Sequence, residues 1–310
     1  MRAVFLGTPE FAVPALNALC ECAEVVAVVC QPDRERDRKG RIIEGAVKKR
    51  AEELGIPVYQ FEKIRHDGVE ILRALAPDVM ITCAYGQILS QEILDIAPLG
   101  VLNVHGSILP AYRGSAPIQR ALINGEKETG VTIMKTDVGM DTGAILSVEK
   151  LAVGDDDYVD DLYDKLSVIG AGLLVKTLTD YVEDKIKPVP QDDALATNAP
   201  PLKKEEAYLD FTGDAEKVRN VIRGVGYGVC EFRGEPLKIY RADVVPGRCE
   251  KAAGTVVKAV KNDFVVACGN GALNLAEIQV SGKKRMRTID FLNGVHVQPG
   301  ERLNKFGGNK

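Results

Sequence analysis

The feature that most constrains this chain is an alternation of short apolar runs with helix-length segments over its first hundred residues. Ala3 to Leu6, Val25 to Cys30, Asp78 to Ala84 and Val101 to Val104 are strand-sized and almost free of polar residues. Between them, Phe11 to Cys22, 46 to 54 and 67 to 75 read as helices, and Val58 to Gln60 as one more short strand. Strands apolar on both faces belong in a parallel sheet, and parallel neighbours need crossover helices. The expectation is an α/β fold with a doubly wound, mostly parallel, Rossmann-like sheet. Such a sheet binds its ligands beyond the carboxyl ends of its strands.

Two turns fall at that end, Tyr85-Gly86 and the stretch from Gly100 to Gly114. Gly106 and Pro110 cannot continue the strand that begins at Val101, so the chain leaves the sheet just after His105. Residues two apart on a strand share a face, which sets the Asn103 amide beside the His105 imidazole. An amide can orient and polarise a carbonyl oxygen, and a histidine can donate to the oxyanion that forms on attack. A hydrogen-bonded turn is an equally good reading of these residues alone. Position favours the chemical one: of three histidines, His66 and His296 lie in charged or irregular stretches, leaving His105 where such a sheet binds ligands.

After Ser115, a cap with Pro117 in the first turn, residues 116 to 124 read as helix and 130 to 136 as strand. That strand runs into Asp137-Val-Gly-Met-Asp141-Thr-Gly143. Either aspartate could simply shape the turn. A carboxylate brought beside His105 could also favour the charged ring and order a water for proton removal, a role assigned here to Asp141 over Asp137, although spacing does not decide between them.

Other classes are disfavoured. The first turn, Gly7-Thr8-Pro9-Glu10-Phe11, lacks the glycine spacing of a dinucleotide site, and no phosphate loop occurs. Seven cysteines include no Cys-x-x-Cys, and Cys20 with Cys22 does not make a metal site, so reduced structural thiols and no metal are expected. No apolar run approaches the roughly 20 residues of a membrane span, and Met1-Arg2 leads directly into a strand. A cytoplasmic monomer with no membrane or DNA partner is expected.

The chain is long enough for two domains. Residues 144 to 153 read as strand and 158 to 184 as a long helix with Leu162, Leu166, Ile169, Leu173 and Leu174 on one stripe. Pro188, Pro190, Pro200 and Pro201 mark an extended linker, which sets boundaries at 1–187, 188–206 and 207–310. Beyond the linker come a helix from Ala215 to Gly224 and five short strands near 229–233, 236–245, 254–260, 263–268 and 272–280. This pattern predicts a small OB-like β-barrel of a kind that often binds nucleic acid. Charge supports a polyanionic partner: residues 206 to 310 hold 17 Lys and Arg against 12 Asp and Glu, whereas residues 1 to 205 hold 23 against 32. Two basic stretches could grip phosphates or be merely solvated, namely the loop at 31 to 41 with Arg38, Lys39 and Arg41, and the turn with Lys283, Lys284 and Arg285.

The chain resembles the methionyl-tRNA formyltransferase family of bacteria and organelles over nearly its whole length. The resemblance rests on Phe-Leu-Gly-Thr-Pro-Glu-Phe-Ala (5–12), Gln-Pro-Asp-Arg (31–34), Asn-Val-His-Gly-Ser-Ile-Leu-Pro-Ala-Tyr-Arg-Gly (103–114), Ala-Pro-Ile-Gln-Arg (116–120), Thr-Gly-Val-Thr-Ile-Met (129–134) and Asp-Val-Gly-Met-Asp-Thr-Gly (137–143). It implies that Asn103, His105 and Asp141 are the catalytic trio and that Ser107, Ile108, Leu109 and Pro110 contact 10-formyltetrahydrofolate. It also implies that the 31–45 loop and the C-terminal barrel dock an initiator methionyl-tRNA. Asn-x-His with the later Asp is shared by all formyltransferases that use this folate, so it fixes the reaction class and not the acceptor. Formyltransferases of sugar nucleotides or glycinamide ribonucleotide, a formyl-folate hydrolase and a non-catalytic RNA-binding protein are the rivals. The chain departs from the family pattern at Asp37 to Arg41, at Glu44 to Lys48 and at Gly224 to Cys230, and it has no tryptophan.

Overall fold

The computed structural model describes residues 1–34 and 42–307. The chain divides into two compact units, Met1–Pro117 with Glu128–Ala152 and Leu162–Pro200, and Ile118–Lys127 with Val153–Asp161 and Pro201–Lys310.

The first unit is built on β1 (Arg2–Gly7), β2 (Glu24–Cys30), β3 (Val58–Gln60), β4 (Val79–Cys83), β5 (Val101–His105), β6 (Glu128–Lys135) and β7 (Ile145–Ala152). Their order in the sheet is β3-β2-β1-β4-β5-β6-β7. The first five are parallel, while β6 and β7 are antiparallel to their neighbours. Helices α1 (Val13–Cys22), α2 (Ala46–Glu53), α3 (Ile64–Asp67), α4 (Val69–Leu75) and α5 (Gln91–Leu94) fall in the connections; α6 (Pro117–Asn124), between β5 and β6, is counted almost wholly with the second unit, and α7 (Val159–Val182) follows β7. The order reverses at β1, which is the doubly wound topology that the apolar runs predicted.

Side-chain burial explains the strands. Every residue of β4 is buried, and in β5 every residue but Asn103 is, so these strands form only with cover on both faces. On one face Leu6, Met80 and Val101 pack with Ile64, Leu72 and Ile93 from α3, α4 and α5. The expected helix at 67–75 is in fact two, because the chain breaks at Gly68, where a Cβ would sit 2.7 Å from Ile64 Cγ1.

Residues 189–199 run back along this unit. Val189 bridges Ile145 and Asn198 bridges Arg113. The proline-containing stretch is therefore hydrogen-bonded to β7 and to the loop after β5 as far as Ala199.

The second unit carries α8 (Ala215–Val225), β8 (Gly228–Phe232), β9 (Glu235–Val245), β10 (Val256–Val260), β11 (Asp263–Ala267), β12 (Ala272–Val280), β13 (Met286–Arg287), α9 (Thr288–Gly294) and β14 (Leu303–Lys305). Its antiparallel sheet has the order β10-β11-β12-β9-β8-β14, with β13 on β12. The two ends of that path meet: Val256 N donates to Glu301 O at 2.8 Å and Leu303 N to Gly254 O at 2.7 Å, so the sheet curls onto itself. Phe232, Phe264 and Phe291 pack at its centre with ring centroids 5.9 to 6.4 Å apart. β13 and β14 were not anticipated, since two or three residues with mostly exposed side chains leave no periodic signal.

Candidate active site

Asn103 and His105 project from the same face of β5, and Asp141 meets both. Asn103 Nδ2 donates to Asp141 Oδ1 at 3.4 Å, and His105 Nδ1 lies 3.6 Å from Asp141 Oδ2. Asp141 arrives by an indirect route. Because β6 runs antiparallel to β5, its last residue Lys135 lies opposite Leu102, and the 136–144 turn then brings Asp141 to His105. The other aspartate does what turn aspartates commonly do: Asp137 Oδ1 accepts from Gly139 N at 3.0 Å and from Thr142 Oγ1 at 2.7 Å.

Each member of the trio is oriented. Thr82 Oγ1 on β4 donates to Asn103 Oδ1 at 2.9 Å, so the amide nitrogen faces Asp141 and keeps one hydrogen for a ligand. His105 is 5% exposed, and its Nε2 is 3.0 Å from Tyr112 O. A carbonyl can only accept, so Nε2 carries the proton and Nδ1 is the ring nitrogen that faces the carboxylate. Asp141 Oδ2 accepts from Gly114 N at 2.8 Å. Asp141 itself has φ +53°, a left-handed conformation uncommon outside glycine, although aspartate tolerates it better than most residues. Together these groups can hold an anionic carbonyl oxygen and take a proton from an amine.

The segment after His105 is pinned from below. Thr132 Oγ1, fully buried on β6, donates to Ser107 O at 2.7 Å and accepts from Leu109 N at 3.1 Å, while Ser107 Oγ donates to Ala111 O at 2.7 Å. Ser107 and Leu109 are buried, which leaves Ile108 and Pro110 half-exposed beside the trio in sequence. Sequence reasoning missed Thr82 and Thr132, since a threonine in an apolar strand looks like a β-branched filler.

The basic residues fare differently. Arg38, Lys39 and Arg41 lie outside the described residues. Lys48 anchors the flank of that loop, paired with Asp33 at 2.6 Å and Glu44 at 3.0 Å, and these hydrogen bonds hold its ammonium well above the usual range. A cleft of about 840 Å³ beside it is lined by Thr8, Gln31, Asp33, Arg34 and Arg50 and by none of the trio. In the second unit, Lys283 and Lys284 are exposed on the turn after β12, and the Arg285 guanidinium stacks 4.4 Å over the Tyr240 ring. Among the described residues no group of three or more His, Cys, Asp or Glu could hold a metal ion, and no helix is long and apolar enough to cross a membrane.

Comparison with known proteins gives a consistent picture. A family model described as formyl transferase matches residues 1–178, and one described as formyl transferase, C-terminal domain, matches residues 201–296. A methionyl-tRNA formyltransferase of Citrifermentans bemidjiense is 44% identical over 98% of this chain and 97% of its own. One from Bacillus velezensis is 42% identical over 98% of each. Among solved structures, a sugar 3N-formyl transferase determined in the presence of dTDP and 5-N-formyl-THF superposes with a TM-score of 0.67 at 18% identity, covering 92% of this chain and 99% of that one. The chain belongs to the methionyl-tRNA formyltransferase family.

Proposed function

We propose that this chain transfers the formyl group of 10-formyltetrahydrofolate to the α-amine of methionine esterified to initiator tRNA, with Asn103, His105 and Asp141 as its catalytic residues. What supports the reading is a carboxylate, Asp141, that lies 3.4 Å from the Asn103 amide and 3.6 Å from the His105 imidazole, in a chain 44% identical to a named methionyl-tRNA formyltransferase.

The neutral amine attacks the formyl carbon, a C–N bond forms, and the carbonyl electrons move onto oxygen. Asn103 Nδ2 and a protonated His105 Nδ1 hold that oxyanion; preorganised donors of this kind contribute on the order of 3 kcal/mol each. Asp141 takes the ammonium proton, through a water where the amine is beyond direct reach. Collapse re-forms the carbonyl, breaks the C–N10 bond and returns a proton to N10 of tetrahydrofolate. Ser107 to Pro110 line the folate. The tRNA is held by Arg38, Lys39 and Arg41 and by Lys283, Lys284 and Arg285, and the protein works as a cytoplasmic monomer. Incubating it with 10-formyltetrahydrofolate and charged initiator tRNA should yield N-formylmethionyl-tRNA; formate released without an amine, or formyl transfer only to an aminosugar nucleotide or glycinamide ribonucleotide, would overturn the assignment.

A further inference from the structure

We propose that Gln191 is a positioning residue for Asp141, a clamp that ties the loop carrying the carboxylate to the loop after His105. The proposal rests on Asp141 being the proton acceptor. Gln191 lies in the stretch whose prolines suggested a linker, but that stretch is bonded along the first unit. Arg113 N donates to Thr197 O at 2.8 Å, Ala199 N to Arg113 O at 2.6 Å, and Val189 and Ile145 exchange bonds of 2.8 Å.

The Gln191 amide is fully used. Its Nε2 donates to Asp141 O at 2.8 Å and to Gly143 O at 2.7 Å, and its Oε1 accepts from Arg113 Nε at 3.0 Å and Arg113 Nη2 at 2.8 Å. Two hydrogens and two lone pairs are all an amide has, so it cannot turn without losing its partners. Arg113 is itself only 9% exposed, with one further bond from Nη2 to Asp193 Oδ1 at 2.7 Å.

The loop needs such a restraint. Asp141 sits at φ +53°, and the turn presses so closely on β6 that a Cβ at Gly143 would fall 1.8 Å from Lys135 O. Arg113 and Gly114 thus hold Asp141 twice: Gly114 N binds the carboxylate directly, and the Arg113 guanidinium holds the main chain through Gln191. A carboxylate displaced by about 1 Å can lose on the order of a hundredfold in rate.

The test uses the full chain with Gln191→Glu, Gln191→Ala, Asp193→Ala and Asp141→Asn. Gln191→Glu keeps the length and the arginine fork but turns both donor bonds into oxygen–oxygen contacts. The expected result is a kcat lowered about 10- to 100-fold in both Gln191 variants, with both Michaelis constants within about twofold and the unfolding midpoint of at least one near the parent's. Asp193→Ala, which touches the arginine and not the loop, should keep parental kcat. Parental kcat in the Gln191 variants beside an inactive Asp141→Asn overturns the clamp alone. An equal kcat loss in Asp193→Ala also overturns it, by making the effect one of the whole strap. Near-parental turnover of Asp141→Asn overturns both the clamp and the catalytic reading beneath it.

Discussion

His105 carries the sharpest expectation at the residue scale. His105→Ala should lower turnover by about a hundredfold or more while formyl-folate affinity stays within a few-fold, because a ring donor to the oxyanion acts mainly in the transition state. Stopped turnover and equilibrium folate binding check the two halves. A subtler case is Thr82, whose hydroxyl fixes which end of the Asn103 amide faces Asp141. Thr82→Val keeps the β-branched shape in a site that is already buried. With one neutral hydrogen bond gone, worth about 1 kcal/mol, kcat should fall roughly fivefold without a change in the Michaelis constants. A steady-state comparison with Thr82→Ser, expected near parental rate, separates this from loss of packing.

Elements show where a sequence speaks and where it stays silent. The hydrophobic runs declared β1, β2, β4 and β5, because strands covered on both faces must be apolar throughout. That Asn103 and His105 lie side by side was legible because residues two apart on a strand share a face. Gln191 was not: its partners are main-chain carbonyls and an arginine 78 residues away, and no periodicity records a contact of that kind. The backbone bonds that join the two ends of the curled sheet were equally hidden, since the segment before β14 pairs through its main chain and carries no apolar pattern. Near that closure Arg233 forks onto Glu301 with bonds of 2.7 and 2.8 Å, and the guanidinium holds the Glu301 carboxyl down at about 2. A carboxyl lowered in the fold stabilises above its ordinary range near 4.5, and the contribution disappears as pH falls toward 2. Glu301→Gln should therefore cost on the order of 1–2 kcal/mol at pH 7, after allowance for solvent screening, and progressively less as pH falls through about 2. Unfolding midpoints measured across that range check the shape of the difference.

Of the chain's seven thiols four are buried, Cys20 and Cys249 are half-buried and one is exposed. Cys30, Cys83 and Cys268 are buried and pushed up to about 12 by desolvation, and Cys230 is raised further by the same cause, while Cys22 is exposed. A thiolate reagent at pH 8 should label Cys22 quickly and those four only when the surrounding fold opens; time-resolved mass mapping decides. The uneven distribution of charge also has a measurable consequence at this scale. If the C-terminal excess of Lys and Arg docks a polyanion, the Michaelis constant for charged tRNA should rise steeply between 50 and 200 mM salt, and that for the folate should barely move.

The Tyr112 carbonyl that captures one nitrogen of His105 makes the imidazole a cul-de-sac instead of a wire. A proton cannot be handed in on one side of the ring and out on the other; whatever enters at Nδ1 must depart by the same door. The ring therefore meets a ligand through a single atom, and no relay runs through the protein behind it.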